Sequence, residues 1–193
     1  HTMFKKETYI SRREQLRKDV GHGLIIIQGN HEASCNYPDN TYHFRQDSTF
    51  LYFFGLQRED MIGVLDCDNG KDYIFANDYD IDDIIWTGPL PSVKELAASV
   101  GVDNSGSLAD LQALCHKTIA EARRIHYLPP YRADNLNQLG TLLGIKKEGV
   151  NRYASMELIL ACVKQRNIKS AEEIDEIERA IATAYNMHVG AMK

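Results

Sequence analysis

The chain has 193 residues, 44% of them hydrophobic and 25% charged, which fits one globular domain of ordinary size, or one domain with an appendage. Its 22 basic and 27 acidic side chains give a formal net charge of -5, and the basic residues are scattered apart from one cluster near the start. Nucleic-acid binding needs clustered cations to neutralise phosphates, and a membrane span needs a long apolar run; the sequence offers neither, so partners of both kinds are set aside.

His1 and Thr2, ahead of Met3, read as the remnant of an expression tag and are left out of the fold. Tyr9 to Val20 mixes apolar and basic residues at helical spacing and stops at Gly21, a natural residue to follow a helix. The cluster Lys5, Lys6, Arg12, Arg13, Arg17 and Lys18 reads as the solvated face of that helix. Gly23 to Gly29 is a short β-branched run bracketed by glycines, the pattern of a strand covered on both faces. A polar, turn-rich stretch follows over 30–49. Phe50–Leu56, Met61–Cys67 and Lys71–Asn77 are then three strand candidates, and the Asn69-Gly70 turn predicts that the last two pair as an antiparallel hairpin.

Beyond Pro91 the period changes. Ser92–Val100 and Ser107–Ala122 read as helices, Arg124–Leu128 as a short strand ended by Pro129-Pro130, and the sequence to Leu143 as weakly helical. Ser155–Gln165 is a stronger helix. In the last segment, from Ser170 to Lys193, Ser170 and Glu173 form a capping box, and Ile174, Ile177, Ile181 and Ala184 supply an apolar stripe. That periodic pattern is still running at Lys193, so the chain is expected to be part of a longer protein. Alternating helices and strands with a hairpin among them predict an α/β domain of three layers, a mixed sheet with helices on both faces.

Residues able to carry chemistry are sparse. Cys35, Cys67, Cys115 and Cys162 are far apart and form no C-x-x-C pair; a reducing cytoplasm is the expected setting. The histidines His22, His31, His43, His116, His126 and His188 show no H-x-x-x-H or H-E-x-x-H spacing, and no nucleotide loop or G-x-S-x-G is present, so no catalytic residue and no metal ligand is assigned within this chain. Asp78, Asp80, Asp82 and Asp83 lack the glycine and closing glutamate of a calcium loop and read as an acidic loop capping a helix start. Trp86, the sole tryptophan, is expected on a loop as a packing anchor or interface contact. Within 42–55, YHFRQDSTFLYFFG, Asp47 and Ser48 can make a local turn. Alternatively Arg45 and Asp47 can serve as a polar pair at a cleft mouth, with Tyr42 and Phe44 as its walls.

This last stretch resembles the Y-x-F-R-Q-D-S-x-F-x-Y-x-x-G segment of Xaa-Pro aminopeptidase (aminopeptidase P) N-terminal domains. Ile85-Trp86-Thr87-Gly88 is similar to the W-x-G loop of those domains. Arg166 with Lys169-Ser170-Ala171-Glu172-Glu173-Ile174 resembles the junction at which family members enter the catalytic domain. The resemblance implies a creatinase-type, ribonuclease H-like N-terminal domain over 3–167, then a linker and the first helix of a pita-bread catalytic domain over 168–193. It further implies a parent hydrolase that releases an N-terminal residue preceding proline, using two divalent ions, usually manganese, held by two Asp, one His and two Glu beyond Lys193. The N-terminal domain would shape the substrate cleft and build homodimers or homotetramers. Trp86 matches the tryptophan that reaches a neighbouring active site in some bacterial members, and Tyr42, Arg45 and Asp47 are further shaping or interface candidates. Related domains also occur in catalytically inactive relatives, histone-chaperone subunits among them, so a peptide- or protein-binding module is the alternative. Creatinase and prolidase share the two-domain plan, and F-R-Q-D-S favours aminopeptidase P over both.

Overall fold

The computed structural model describes residues 2–192, apart from the side chains of Asp83, Ile84 and Thr87; His1 and Lys193 lie outside it. The elements run α1 (Lys6–Val20), β1 (Leu24–Gln28), α2 (Ser48–Phe54), β2 (Ile62–Asp66), β3 (Asp72–Phe75), α3 (Ile81–Thr87), α4 (Val93–Ser99), β4 (Asn104–Gly106), α5 (Leu108–Ala120), β5 (Ile125–Tyr127), α6 (Ala133–Leu143), α7 (Lys147–Val150), a 3-10 turn (Asn151–Tyr153), α8 (Met156–Asn167) and α9 (Ala171–Met192). The chain divides into two compact units, His1–Ala161 and Cys162–Lys193.

In the first unit five strands form one sheet in the order β4-β3-β2-β1-β5. β1, β2 and β3 pair antiparallel in sequence, with Ile26 opposite Val64 and Gly63 opposite Ile74, whereas β5 joins β1 and β4 joins β3 in parallel. The expected hairpin is therefore present. Its turn is tied by the buried Asp66 carboxylate, which accepts from Asp68 N and Asn69 N and pairs with Arg123 at 2.6 Å. The sheet is mixed, as the sequence predicts.

Strand alternation divides the core between two faces. Leu24, Ile26, Ile62, Val64 and Phe75 pack with Leu111 and Cys115 of α5, Leu139 and Leu142 of α6, and Tyr127 and Val150. The opposite face is covered by α1 and α2, with Tyr9, Leu16, Phe50, Phe53 and Phe54 almost wholly buried.

Two expectations give way here. Phe50–Leu56 is not a strand; most of it forms α2. The Asp47 carboxylate accepts from Thr49 N and Phe50 N, both at 2.9 Å, and Gly55 ends the helix in the left-handed region at φ 66°. A Cβ at Gly55 would stand 2.3 Å from the Tyr9 ring, so the position is closed to other residues twice over. Phe50, Phe53 and Phe54 then fall on one buried stripe, and the end signals outweigh the strand preference of the aromatics.

The basic face of α1 is the second correction. Arg13 is wholly buried and Arg12 nearly so. The Arg13 guanidinium donates from Nε to Asp72 (2.8 Å), from Nη1 to Phe53 O (3.0 Å) and from Nη2 to Val100 O (2.8 Å), tying α1 to the sheet, α2 and the end of α4. Burial lowers its pKa, and the bond to Asp72 works against that. Arg12 donates to Tyr52 O and lies 4.0 Å above the Tyr52 ring.

The second unit carries α9, a 22-residue helix opened by the predicted capping box. Ser170 N donates to Glu173 at 2.9 Å, and Glu173 N donates to Ser170 Oγ at 3.3 Å. No α9 residue is buried, and Ile174, Ile177 and Ile181 are 46%, 45% and 61% exposed.

Candidate functional site

A polar cluster gathers where β1 runs out. Gln46, buried, sits at its centre. Its side-chain oxygen accepts from Asn30 N (2.7 Å) and Asp47 N (3.0 Å), and its Nε2 donates to Arg58 O (2.7 Å) and Leu56 O (3.3 Å). The amide thus makes four bonds, joining the end of β1, the start of α2 and the approach to β2. Asn30, also buried, donates from Nδ2 to Arg45 O at 2.9 Å. Asp47 caps α2 with one oxygen, and its other oxygen accepts from the Tyr131 hydroxyl at 3.3 Å.

Around this centre lie the acids Asp60 and Glu59, the arginines Arg58 and Arg132, and His31. His31 Nδ1 pairs with Asp60, a residue held in the left-handed region at φ 57°. The bond to Asp60 raises the His31 pKa against the opposing effect of burial. Arg58 is buried, donates to Asn77 O and lies 4.1 Å above the Tyr79 ring; the Tyr79 hydroxyl donates to Glu59 at 2.6 Å. Burial and Glu59 push the Tyr79 pKa up to about 12. Arg132 reaches His31 O at 3.5 Å.

Of the residues singled out in the sequence, Asp47 alone has its side chain in this cluster. Arg45 contributes its backbone carbonyl, and its side chain is exposed; no ion pair joins it to Asp47 among the described residues. Tyr42 is exposed on the loop where Ser34 bridges Thr41. Trp86 is on the short helix α3 rather than on a loop, and at 88% exposed it is no packing anchor within this chain. Asp78 of the acidic stretch caps α4, accepting from Val93 N at 2.7 Å, and the side chain of Asp83 lies outside the described residues. Gln46, Asn30, Arg58 and Tyr131 are what sequence reasoning passed over. The one available signal was Gln46, a polar residue next to a helix cap and an aromatic run.

The cysteines are free, and burial pushes the thiols of Cys67 and Cys115 up to about 11 and that of Cys162 to about 12. Such thiols stay protonated and make poor nucleophiles. The cluster therefore offers hydrogen bonding and shape, with the chemistry of a rigid scaffold.

Comparison with known proteins agrees with this architecture. The family model described as "Aminopeptidase P, N-terminal domain" matches residues 9–126. Mouse (Mus musculus) Xaa-Pro aminopeptidase 3 is 28% identical over 180 residues, covering 89% of this chain and 35% of the relative. Human (Homo sapiens) Xaa-Pro dipeptidase is 29% identical over 94 residues, covering 47% of the chain and 19% of the relative. Among solved structures, a low-pH form of Escherichia coli aminopeptidase P superposes with a TM-score of 0.71 at 20% identity, over 92% of this chain and 42% of that one. An α/β scaffold with a mixed five-stranded sheet is thus a fold this chain shares with aminopeptidase P. The chain belongs to the aminopeptidase P N-terminal domain family. It spans about a third of the length of the curated Xaa-Pro aminopeptidase it matches.

Proposed function

We propose that this chain is the substrate-shaping and oligomerising domain of a metal-dependent Xaa-Pro aminopeptidase, a hydrolase releasing an N-terminal residue that precedes proline. The observation that carries this reading is the family match over 9–126, which contains the whole F-R-Q-D-S segment and the cluster built on it apart from Tyr131 and Arg132. On this reading the domain covers 3–167, and residues 168–193 are the linker and first helix of the catalytic domain.

The two-metal centre expected of such an enzyme needs two Asp, one His and two Glu. Among the described residues, the one group of His, Cys, Asp or Glu whose ligand atoms converge is His22, His126 and Glu157, which does not match that set. On this reading the dinuclear site, with manganese as the expected ion, would lie in sequence after Lys193, as the family resemblance implies. A metal pair held there would supply an activated water. This domain would narrow the cleft by sterics, so that short peptides with proline in second position enter and longer chains are excluded. The exposed Trp86 supports a role at a homodimer or homotetramer contact, and the four free cysteines are compatible with a cytoplasmic setting. No described helix is long and apolar enough to cross a membrane.

Steady-state hydrolysis of Xaa-Pro-Xaa tripeptides and Xaa-Pro dipeptides, with manganese added, tests the proposal. The longer protein should turn over the tripeptides, and the 193-residue chain should turn over neither. Inactivity of the longer protein would favour the alternative, a peptide- or protein-binding module of an inactive relative, in which the five ligands after Lys193 are missing. Cleavage of dipeptides alone would point to a prolidase.

A further inference from the structure

Away from the cluster at the end of β1, three residues distant in sequence bring ligand atoms together at the opposite end of that strand. His22 lies between α1 and β1, His126 is in β5, and Glu157 is in the first turn of α8. Their ligand atoms all lie within 4.8 Å of one another. His22 Nε2 is 3.9 Å from Glu157 Oε2, and His126 Nδ1 is 3.8 Å from the same oxygen. A tetrahedral ion with bonds near 2.0–2.1 Å needs its ligands roughly 3.4 Å apart, so the approach required is about half an ångström for each imidazole–carboxylate pair and at most about 1.4 Å between the two imidazole nitrogens, which lie within 4.8 Å. The side chains that must make it, His22 and Glu157, are 57% and 61% exposed and free to rotate, while His126 is fixed in the core.

We propose that His22, His126 and Glu157 form a mononuclear divalent transition-metal site of the zinc class, completed by water.

The surroundings of His126 support it. Its Nε2 faces His22 O at 3.0 Å and donates to it, which sets the tautomer and leaves Nδ1 as the lone-pair nitrogen, 3.8 Å from Glu157 Oε2. A backbone carbonyl holding the far side of a ligating imidazole is the usual outer support of such sites. Close approach makes this possible: a Cβ at Gly23 would stand 2.4 Å from Arg124 O and 3.1 Å from His126 Nε2, so only glycine lets the His22 carbonyl reach the ring. The Ser155 hydroxyl, 2.7 Å from Nδ1, donates to it here and accepts from Leu158 N at 3.2 Å. A metal on Nδ1 needs that lone pair, so the Ser155 hydroxyl must turn away from the ring when an ion binds. Two imidazoles with a single carboxylate select zinc, cobalt or nickel over magnesium and manganese. Bound there, an ion would clamp the α1–β1 turn, β5 and the start of α8.

Calorimetric titration of the chelator-treated 193-residue chain with zinc, paralleled by cobalt absorption in the visible range, tests the site. One equivalent should bind saturably, cobalt should give the intense bands of a low-coordinate ion, and zinc should raise Tm. His22→Ala and Glu157→Ala, both at exposed positions, should each weaken zinc at least about tenfold while the apo Tm is unchanged. Cys35→Ser should bind as the parent chain does. Absence of saturable binding, or binding that survives both His22→Ala and Glu157→Ala, overturns the proposal.

Discussion

At the scale of single residues, Arg13 illustrates how burial changes what a charge means. Its guanidinium is shared among Asp72 and three carbonyls belonging to α2 and the α4 end. Arg13→Ala leaves Asp72 with the neighbouring Arg17 and strands the carbonyls, so it is expected to destabilise the chain by about 3–5 kcal/mol in urea unfolding. Lys18→Ala, on the exposed side of the same helix, should stay within about 0.5 kcal/mol. From sequence the two positions look alike, because a run of Lys and Arg at helical spacing reads as solvated unless the buried partners, fifty-nine residues away for Asp72, are known. The histidines respond to pH with opposite signs. His31 has its pKa raised by Asp60, so its contribution is fully present below the usual 6.5 and fades as pH rises through the raised value. His126 is lowered by burial, so its contribution is present above 6.5 and declines as pH falls below it. The stability gap between the parent chain and His31→Ala, measured by thermal unfolding, should therefore be widest at acidic pH and shrink toward alkaline pH.

At the scale of elements, α2 shows where pattern reading fails and why. Its aromatic run favours a strand on propensity, yet both ends carry helix signals, Asp47 before it and Gly55 after it. Asp47→Ala should cost about 1 kcal/mol through the lost cap, and Asp47→Asn or Asp47→Ser should recover most of that. Elements with regular periodicity or strong punctuation, α1, β1, the β2–β3 hairpin and α5, were legible to within a few residues. β4 was not, since Asn104-Ser105-Gly106 has no strand character and is recruited by its parallel neighbour β3. The apolar stripe of α9 belongs to this scale too. In the 193-residue chain Ile177→Glu should leave Tm unchanged, because Ile177 is already 45% exposed. In the longer protein, where the proposal has the catalytic domain cover that face, the same substitution should lower Tm or yield.

At the scale of the whole molecule, the family could be read from a fourteen-residue segment, 42–55, and the layered α/β fold from alternation of periods. The polar cluster could not, because Asn30, Arg58 and Tyr131 reach it from separate loops and no spacing rule connects them. The same holds for His22, His126 and Glu157, which lie on a turn, a strand and a helix; a search for ligands four apart on one helix passes over them. The oligomer prediction sits at this level. Trp86→Ala in the longer protein should shift its elution toward smaller species or raise KM, and unchanged mass together with unchanged kinetics would remove Trp86 from the interface.

The strand order β4-β3-β2-β1-β5 puts the two three-residue strands at the outside and the longer ones within. A growing aggregate needs a long, straight rim on which another chain can lay its backbone, and neither margin provides it. Pro129-Pro130 closes one margin further, since proline lacks the amide hydrogen that an added strand would require. Replacing both prolines with valine should lengthen that margin and show as a rise in light scattering on concentration or gentle heating. Edge-to-edge association of this domain is thus opposed by the brevity of its outermost strands.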